Sequence, residues 1–299
     1  MAFDAILIGG SFAGLSAALQ LARARRKVLV IDSGRPRNRF AAASHGFLGQ
    51  DGRPPLDILA EARRQLELYP TVTFAEAEAA SAEGETNAFT VTAQDGQAWQ
   101  GRRLVLATGL RDELPAVPGL QERWGLTVAH CPYCHGYEAR DGQIGVLGNH
   151  PASAHQAVML PDWGPTTYFT QGKFEPDAEL AAMLAARGVT IERSPIVEVL
   201  GDAPSIEAVR LADGRAVPIQ TIFTAPTLHL ASPLAEGLGC AIDAGPMGPV
   251  VRVNEWGETS VAGVLAAGDA AVPRHSVTFA SASGALAGVG AHRTLFMAQ

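Results

Sequence analysis

Only three cysteines occur in the 299 residues, and two of them share one short motif. So sparse a set cannot build the disulfide framework of a small secreted domain. It also leaves a cysteine-based zinc site short of ligands, because Cys240 has no second cysteine near it, and no metal is expected. Positive charge is in deficit as well. The 23 Lys and Arg against 30 Asp and Glu give a net charge of −7, which argues against nucleic acid or an anionic membrane as main partner. No window approaches the roughly 18–20 apolar residues of a membrane span. Residues 5–22 are mostly small and apolar, but the basic residues Arg23, Arg25, Arg26 and Lys27 follow that run, the reverse of a secretory signal. A soluble, cytoplasmic protein is expected. Biased tracts are absent too, and the composition (47% hydrophobic, 32 Gly, 19 Pro) is globular at a length that suits two domains.

The paired cysteines make Cys131-Pro132-Tyr133-Cys134-His135 the stretch around which the rest is organised. Two thiols two residues apart can close a small disulfide ring, and a neighbouring proton donor or acceptor decides which sulfur is the reactive thiolate. Three chemistries use this spacing: a redox-active dithiol, half of a zinc site, and a c-type haem attachment, whose signature is Cys-x-x-Cys-His. The zinc site lacks its other half. A haem would call for an exported protein, and a strand–turn–helix pattern follows the motif directly. The redox dithiol leads.

From the N-terminus, Asp4–Ile8 reads as a buried parallel strand running into Gly9-Gly10-Ser11-Phe12-Ala13-Gly14. An apolar helix from Leu15 to about Ala24 follows, then the strand Lys27–Ile31, which ends at Asp32. This is the strand–Gly turn–helix–strand–acid unit of a dinucleotide site: backbone N–H groups and the helix N-terminus face a pyrophosphate, and the acid holds ribose hydroxyls. Ser11 stands at the middle glycine, so context carries the reading. Ser33, Arg39 and His45 extend the candidate cofactor set into a loop over residues 35–54. An amphipathic helix is expected over 56–68 and short alternating strands from Val72 to Val105, with a turn at Asp95-Gly96. The strand Arg103–Ala107 runs into Thr108-Gly109, and residues 112–119, with Pro115, Pro118 and Gly119, read as a hinge.

Gln143–Leu147 is a second first strand, followed by Gly148-Asn149-His150-Pro151-Ala152-Ser153, a helix and the strand Thr166–Thr170. The shape is that of another dinucleotide unit, but its recognition groups are missing. His150 stands where a glycine should allow close backbone approach, Pro151 removes an amide, and Gln171-Gly172-Lys173 offers neither a ribose acid nor an arginine pair for a 2′-phosphate. Near the C-terminus, the strand Gly263–Ala267 ends in Gly268-Asp269, and Arg274-His275-Ser276-Val277 opens a small-residue helix over about 277–295. Such a helix can aim the positive end of its dipole at a flavin.

These pieces, in this order and over essentially the whole chain, resemble the low-molecular-weight thioredoxin reductase family of FAD flavoproteins. Gly9–Gly14, Ala107-Thr108-Gly109 and Gly263–Asp269 match its FAD segments, and Cys131–Cys134 matches its redox disulfide. The resemblance implies two Rossmann-like, three-layer ββα domains: a discontinuous FAD domain (1–112 and 246–299) and an inserted, degenerate NAD(P)-type domain (113–245) carrying the dithiol. It also implies Cys134 against the flavin, Cys131 towards substrate, and a homodimer. Three departures stand out. The family's aspartate after the second cysteine is His135, its arginine-glutamine pair near the flavin is His275-Ser276, and the NADPH motifs are lost. In these respects the octapeptide ending at Glu138 is closer to the FAD-dependent dithiol oxidases of gliotoxin and holomycin biosynthesis. That resemblance implies a small dithiol substrate, oxygen or another acceptor, His135 as acid/base, His275 beside the reduced flavin, and NAD(P)H binding in doubt. The alternative is a reductase of a thioredoxin-like protein fed by NAD(P)H, ferredoxin or another donor. Cys240 reads as a small buried hydrophobe.

Overall fold

Ala5–Ile8 carries no polar side chain and is buried along its whole length, as a strand covered on both faces must be. It pairs in parallel with Val28–Asp32 on one side and Leu104–Leu106 on the other. Val72–Glu76 and Val264–Ala266 complete a five-stranded parallel sheet at its two edges. This computed structural model describes residues 2–297. Strand alternation divides the sheet's side chains between two cores. Ala5, Leu7, Val28, Val30, Val105 and Leu265 face the helices, while Ile6, Ile8, Leu29, Ile31, Leu104 and Leu106 face a three-stranded meander through Phe89 and Val91. The result is the expected three-layer ββα arrangement.

Two helices cover the first face, Phe12–Arg23 and Val277–Met297. Their approach is closer than side chains allow: a Cβ on Gly284 would stand 2.1 Å from the Ala13 carbonyl oxygen, and one on Gly288 would stand 2.6 Å from that of Ala17. The first helix begins at Phe12, three residues before the position expected from its apolar run, because Ser11 in extended conformation serves as its N-cap.

The second unit repeats the plan. Ile144–Leu147 lies in a parallel sheet between Thr166–Phe169 and Thr221–Thr224, with Thr190–Glu192 and Val128–Ala129 at the edges. Ile144, Val146, Tyr168 and Phe223 pack against the helices Ser153–Met159 and Ala178–Ala186. Leu147, Phe169 and Ile222 pack against a three-stranded sheet through Ile196, Val199, Val209 and Leu211.

The chain divides into one unit of residues up to Arg37, Pro55–Arg111 and from Leu228 onward, and a second of Asn38–Pro54 with Asp112–Thr227. These limits differ from the expected ones in two places. Residues 228–245 fall in the first unit because Leu234, Ala235 and Cys240 bury themselves in the core formed by Ile6, Ile8, Leu29 and Ile31. Residues 38–54 fall in the second, where the backbone of Gly125 approaches Phe40 so closely that a Cβ would meet the Phe40 Cβ at 2.8 Å. Among the described residues no helix is long and apolar enough to cross a membrane, and no group of three His, Cys, Asp or Glu is placed to hold a metal ion.

Candidate active site

In the first unit the Gly-rich turn is built by backbone contact. Gly9 has φ +105°, and a Cβ there would stand 2.2 Å from the Ala107 carbonyl oxygen; at Gly14 it would stand 1.8 Å from the Gly9 carbonyl oxygen. Two strand ends and a helix start therefore converge with no side chain between them. Ser11 replaces the middle glycine without strain, since its φ of −91° suits any residue, and its hydroxyl makes no capping bond. Phe12 and Ala13 are buried in the helix's first turn. Asp32 lies at the end of the neighbouring strand, where its Oδ1 accepts the Gly10 N–H at 3.0 Å. That bond locks the acid to the turn and leaves a carboxylate its second oxygen for ribose hydroxyls.

Gly268 and Asp269 begin a short 3-10 turn directly after the strand Val264–Ala266. Gly268 has φ +71°, and a Cβ there would meet the Ala13 Cβ at 2.9 Å; its N–H donates to Ser283 Oγ at 3.0 Å. Asp269 Oδ2 pairs with Arg37 Nη1 at 2.8 Å, both side chains being mostly buried. Arg37 was not among the sequence candidates: in Arg35-Pro36-Arg37-Asn38-Arg39 nothing local marks one arginine over another. Arg39, in the second unit, instead lies over the Phe40 ring at 4.1 Å. Ser33 is exposed just past Asp32. Ala107, Thr108 and Gly109 follow the strand Leu104–Leu106, and the space where a Gly109 side chain would stand is open. Ser276 Oγ accepts the Phe279 N–H at 3.1 Å, so this hydroxyl caps the last helix, with His275 preceding it and Val277 opening the helix. These features fit a dinucleotide with a flavin: backbone cradles where bulk is forbidden, an acid at the second strand's end and an ion-paired aspartate at the last. FAD meets those demands.

The second unit holds Cys131 and Cys134 joined as a disulfide, with Cα atoms 5.2 Å apart. Cys131 is the N-cap of a one-turn helix, Pro132–His135, with proline preorganising its first position. The turn runs on, since the Ala139 N–H donates to the His135 carbonyl at 3.2 Å. Tyr133 and Tyr137 stand exposed around the disulfide, Tyr133 edge-on to Trp163 and Tyr137 beneath Arg140. His135 follows Cys134 directly and ends the helix. Both its ring nitrogens are buried with no side-chain hydrogen-bond partner. Burial holds its pKa below the ordinary imidazole value and His45 adds to that effect, while Glu138 and the carbonyls of Gly125 and Cys131 pull the other way. His45 was expected beside the cofactor. It packs in the dithiol unit, its Nε2 3.4 Å from Glu138 Oε1 and its Nδ1 3.6 Å from Asp51 Oδ1.

In the same unit the turn after Ile144–Leu147 is closed upon itself. Ser153 Oγ accepts the N–H groups of Asn149 (3.3 Å) and His150 (3.1 Å), and His150 Nδ1 accepts that of Ala152 (3.1 Å). Asn149 is bonded on both ends of its amide, to Thr224 Oγ1 and to the Ala225 carbonyl. Gln171, where a ribose-binding acid would stand, accepts the Ile196 N–H at 2.6 Å. The polar groups of this turn are thus bonded within the chain.

Comparison with known proteins agrees with this geometry. The family described as pyridine nucleotide-disulphide oxidoreductase matches residues 3–287. The thioredoxin reductase tcpT of Claviceps purpurea is 35% identical over 298 residues, covering 95% of this chain and 92% of its own. An oxidoreductase from Agrobacterium tumefaciens, solved by crystallography, is 50% identical with a TM-score of 0.96, covering 100% of both chains. The crystal structure of HlmI is 37% identical with a TM-score of 0.91, covering 98% of this chain and 92% of its own.

Proposed function

The chain belongs to the pyridine nucleotide-disulphide oxidoreductase family, as a thioredoxin reductase-like, FAD-binding oxidoreductase, and from that premise we propose that it is a dithiol oxidase working without a nicotinamide nucleotide. Electrons pass from a small dithiol to the Cys131–Cys134 pair and onward to oxygen or another acceptor. The observation that carries this reading is the self-bonded turn at Asn149–Ser153 together with Gln171, beside an intact redox disulfide. The resemblance of the Cys131–Glu138 octapeptide to the gliotoxin- and holomycin-type oxidases supports it.

In the mechanism, a substrate thiolate attacks Cys131 Sγ, the bond between the two cysteines breaks, and Cys134 leaves as a thiolate. The substrate's second thiol gives its proton to His135 and attacks its own partner sulfur in the mixed disulfide, releasing Cys131. Two substrate thiols become one disulfide and the chain's disulfide becomes two cysteine thiolates; of the substrate's two protons, the first goes to solvent when its thiolate forms and the second goes to His135. A neutral imidazole is the form that can accept the proton, and burial favours that form at neutral pH. When bound at the Gly9–Gly14, Asp32 and Gly268-Asp269 cradle, FAD supplies a two-electron acceptor for the reduced pair. Tyr133 and Tyr137 offer apolar ring faces on which a small, uncharged dithiol can settle.

The test is anaerobic mixing of the purified protein with a dithiol in one cell and with NADPH or NADH in another. Bleaching of the flavin's visible band by the dithiol alone, reversed by air with formation of peroxide, is the expected result. Rapid bleaching by NADPH or NADH would instead make the protein a reductase, for which a thioredoxin-like protein would be the partner.

The proposal includes a cytoplasmic homodimer. Phe279, Leu286, Val289 and Phe296 leave an apolar stripe exposed along the last helix, at spacings that put them on one side. Sedimentation equilibrium is expected to return twice the chain mass for the wild type and a lower mass for Leu286→Glu; a wild-type monomer refutes the dimer.

A further inference from the structure

His135 is boxed in: its two ring nitrogens are buried, yet a base that takes protons from successive substrates must exchange them with water. Glu138 lies three residues on along the same continuing turn, the spacing that makes side chains neighbours. Its carboxylate is half exposed and meets His45 Nε2 at 3.4 Å. The other nitrogen of His45 faces Asp51, whose carboxylate is largely in solvent, and the Gly46 N–H pins that same Asp51 Oδ1 at 2.8 Å. A line of titratable groups therefore leads from the buried imidazole through Glu138 and His45 to the surface, entirely within the second unit. Resting on the oxidase reading, we propose that His45 is a positioning residue that holds Glu138 beside His135 and conducts the thiol proton between that imidazole and solvent.

The chemistry suits each member. The proton crosses from His135 to Glu138 Oε1 through a bridging water, since no hydrogen bond joins the two side chains directly, and passes on to His45 Nε2, while His45 Nδ1 releases its own to Asp51 or water; no electrons move and no bond between heavy atoms changes. The charged and titratable groups around the relay are few. His45 faces Glu138 and Asp51, and His135 feels Glu138 and His45 together with the uncharged carbonyls of Gly125 and Cys131. His130 belongs to the neighbouring segment, where it stacks on Trp124 at 5.8 Å, and Arg140 stacks on Tyr137.

The relay is tested on the holoenzyme by following, without oxygen, the rate at which dithiothreitol opens Cys131–Cys134, read by rapid alkylation and intact mass across pH. Wild type is expected to lose rate on the acid side, as His135 becomes protonated. His45→Ala is expected to slow the step about tenfold and to move that acid limb to higher pH, because the electrostatic effect of His45, which lowers the His135 pKa, is gone while that of Glu138 remains. Glu138→Gln, which keeps the shape of the side chain, is expected to move it to lower pH, each shift being about 0.5 to 1 pH unit. Added imidazole is expected to restore the His45→Ala rate, which it would not do for a merely structural loss. Unshifted limbs, limbs that move the same way, or a His45→Ala rate indifferent to imidazole overturn the relay. If His45→Ala does not fold, Glu138→Gln alone decides by the presence and sign of its shift. A wild-type disulfide that no dithiol opens would refute the oxidase reading itself, a separate outcome.

Discussion

Replacing Cys131 or Cys134 with serine is expected to cut dithiol turnover by at least ~10³-fold, the scale on which loss of an obligatory nucleophile acts, while the purified protein stays yellow. The two halves of that expectation rest on different parts of the molecule. The cysteines form a disulfide in the second unit, whereas Gly9, Gly14, Asp32 and Gly268 lie in the first. A sulfur-to-oxygen change at Cys131 or Cys134 alters none of the cradle's own residues, so flavin content measured by absorbance after denaturation should equal that of the wild type. The two variants should also differ. In Cys134→Ser the remaining thiol is the one assigned to substrate, so incubation with a mixed-disulfide reagent built on the substrate should leave a stable adduct at residue 131. In Cys131→Ser the adduct should form more slowly. Retained turnover in either variant would sink the scheme, and faster labelling of Cys134 would reverse the two roles.

Much of this architecture was legible because it follows from patterns that repeat. Ala5–Ile8 and Ile144–Leu147 are short apolar runs ending in glycine, and both became central parallel strands with helices on one face. The Gly9–Gly14 turn was readable from its flanks, and Ser11 proved no obstacle because its backbone stays in the extended region. The proline and the histidine that stand in the turn after Ile144–Leu147, where a phosphate turn favours glycine and free amides, were legible as well. The sequence could not show where the freed polar groups go, and Ser153, His150 and Gln171 take up that duty through contacts between two and 25 residues apart.

What escaped sequence reading depends on the chain returning to itself. His45 looked like part of a loop over the cofactor. Its partner Glu138 lies 93 positions later, and only the folding of Asn38–Pro54 onto the second unit joins them. Arg37 was hidden among three alternating arginines, and its ion pair with Asp269 spans 232 positions. The limit at Leu228 was missed because residues 228–245 carry no motif; they join the first unit through burial of Leu234 and Cys240 alone. Local chemistry thus marked the candidate reacting groups, whereas the groups that pack and pair around them became visible only through tertiary contacts.

Gly14→Ala is expected to yield a colourless or nearly colourless protein, the second large effect. The added methyl would stand 1.8 Å from the Gly9 carbonyl oxygen, and that atom is backbone, so no rotamer change relieves the contact. The turn must open instead. Gly9 cannot retreat freely, because its own Cα already lies against the Ala107 carbonyl, where a Cβ would be at 2.2 Å. Forcing a methylene's volume into such a site typically costs about 1–3 kcal/mol, which corresponds to roughly 5- to 150-fold in affinity if it falls on the cofactor. Gly237→Ala is the matched control: it lies in the same unit, in the short helix Leu234–Gly237, and a Cβ there meets nothing within 4 Å. Flavin titration of the two apoproteins, with circular dichroism to establish that both are folded, separates the cases. A folded Gly14→Ala protein binding FAD as tightly as Gly237→Ala would mean that the pyrophosphate does not rest on this turn, and the cradle would have to be sought at another part of the first unit. A weakened affinity with an unchanged fold would instead assign the backbone of Gly9–Gly14 to the cofactor.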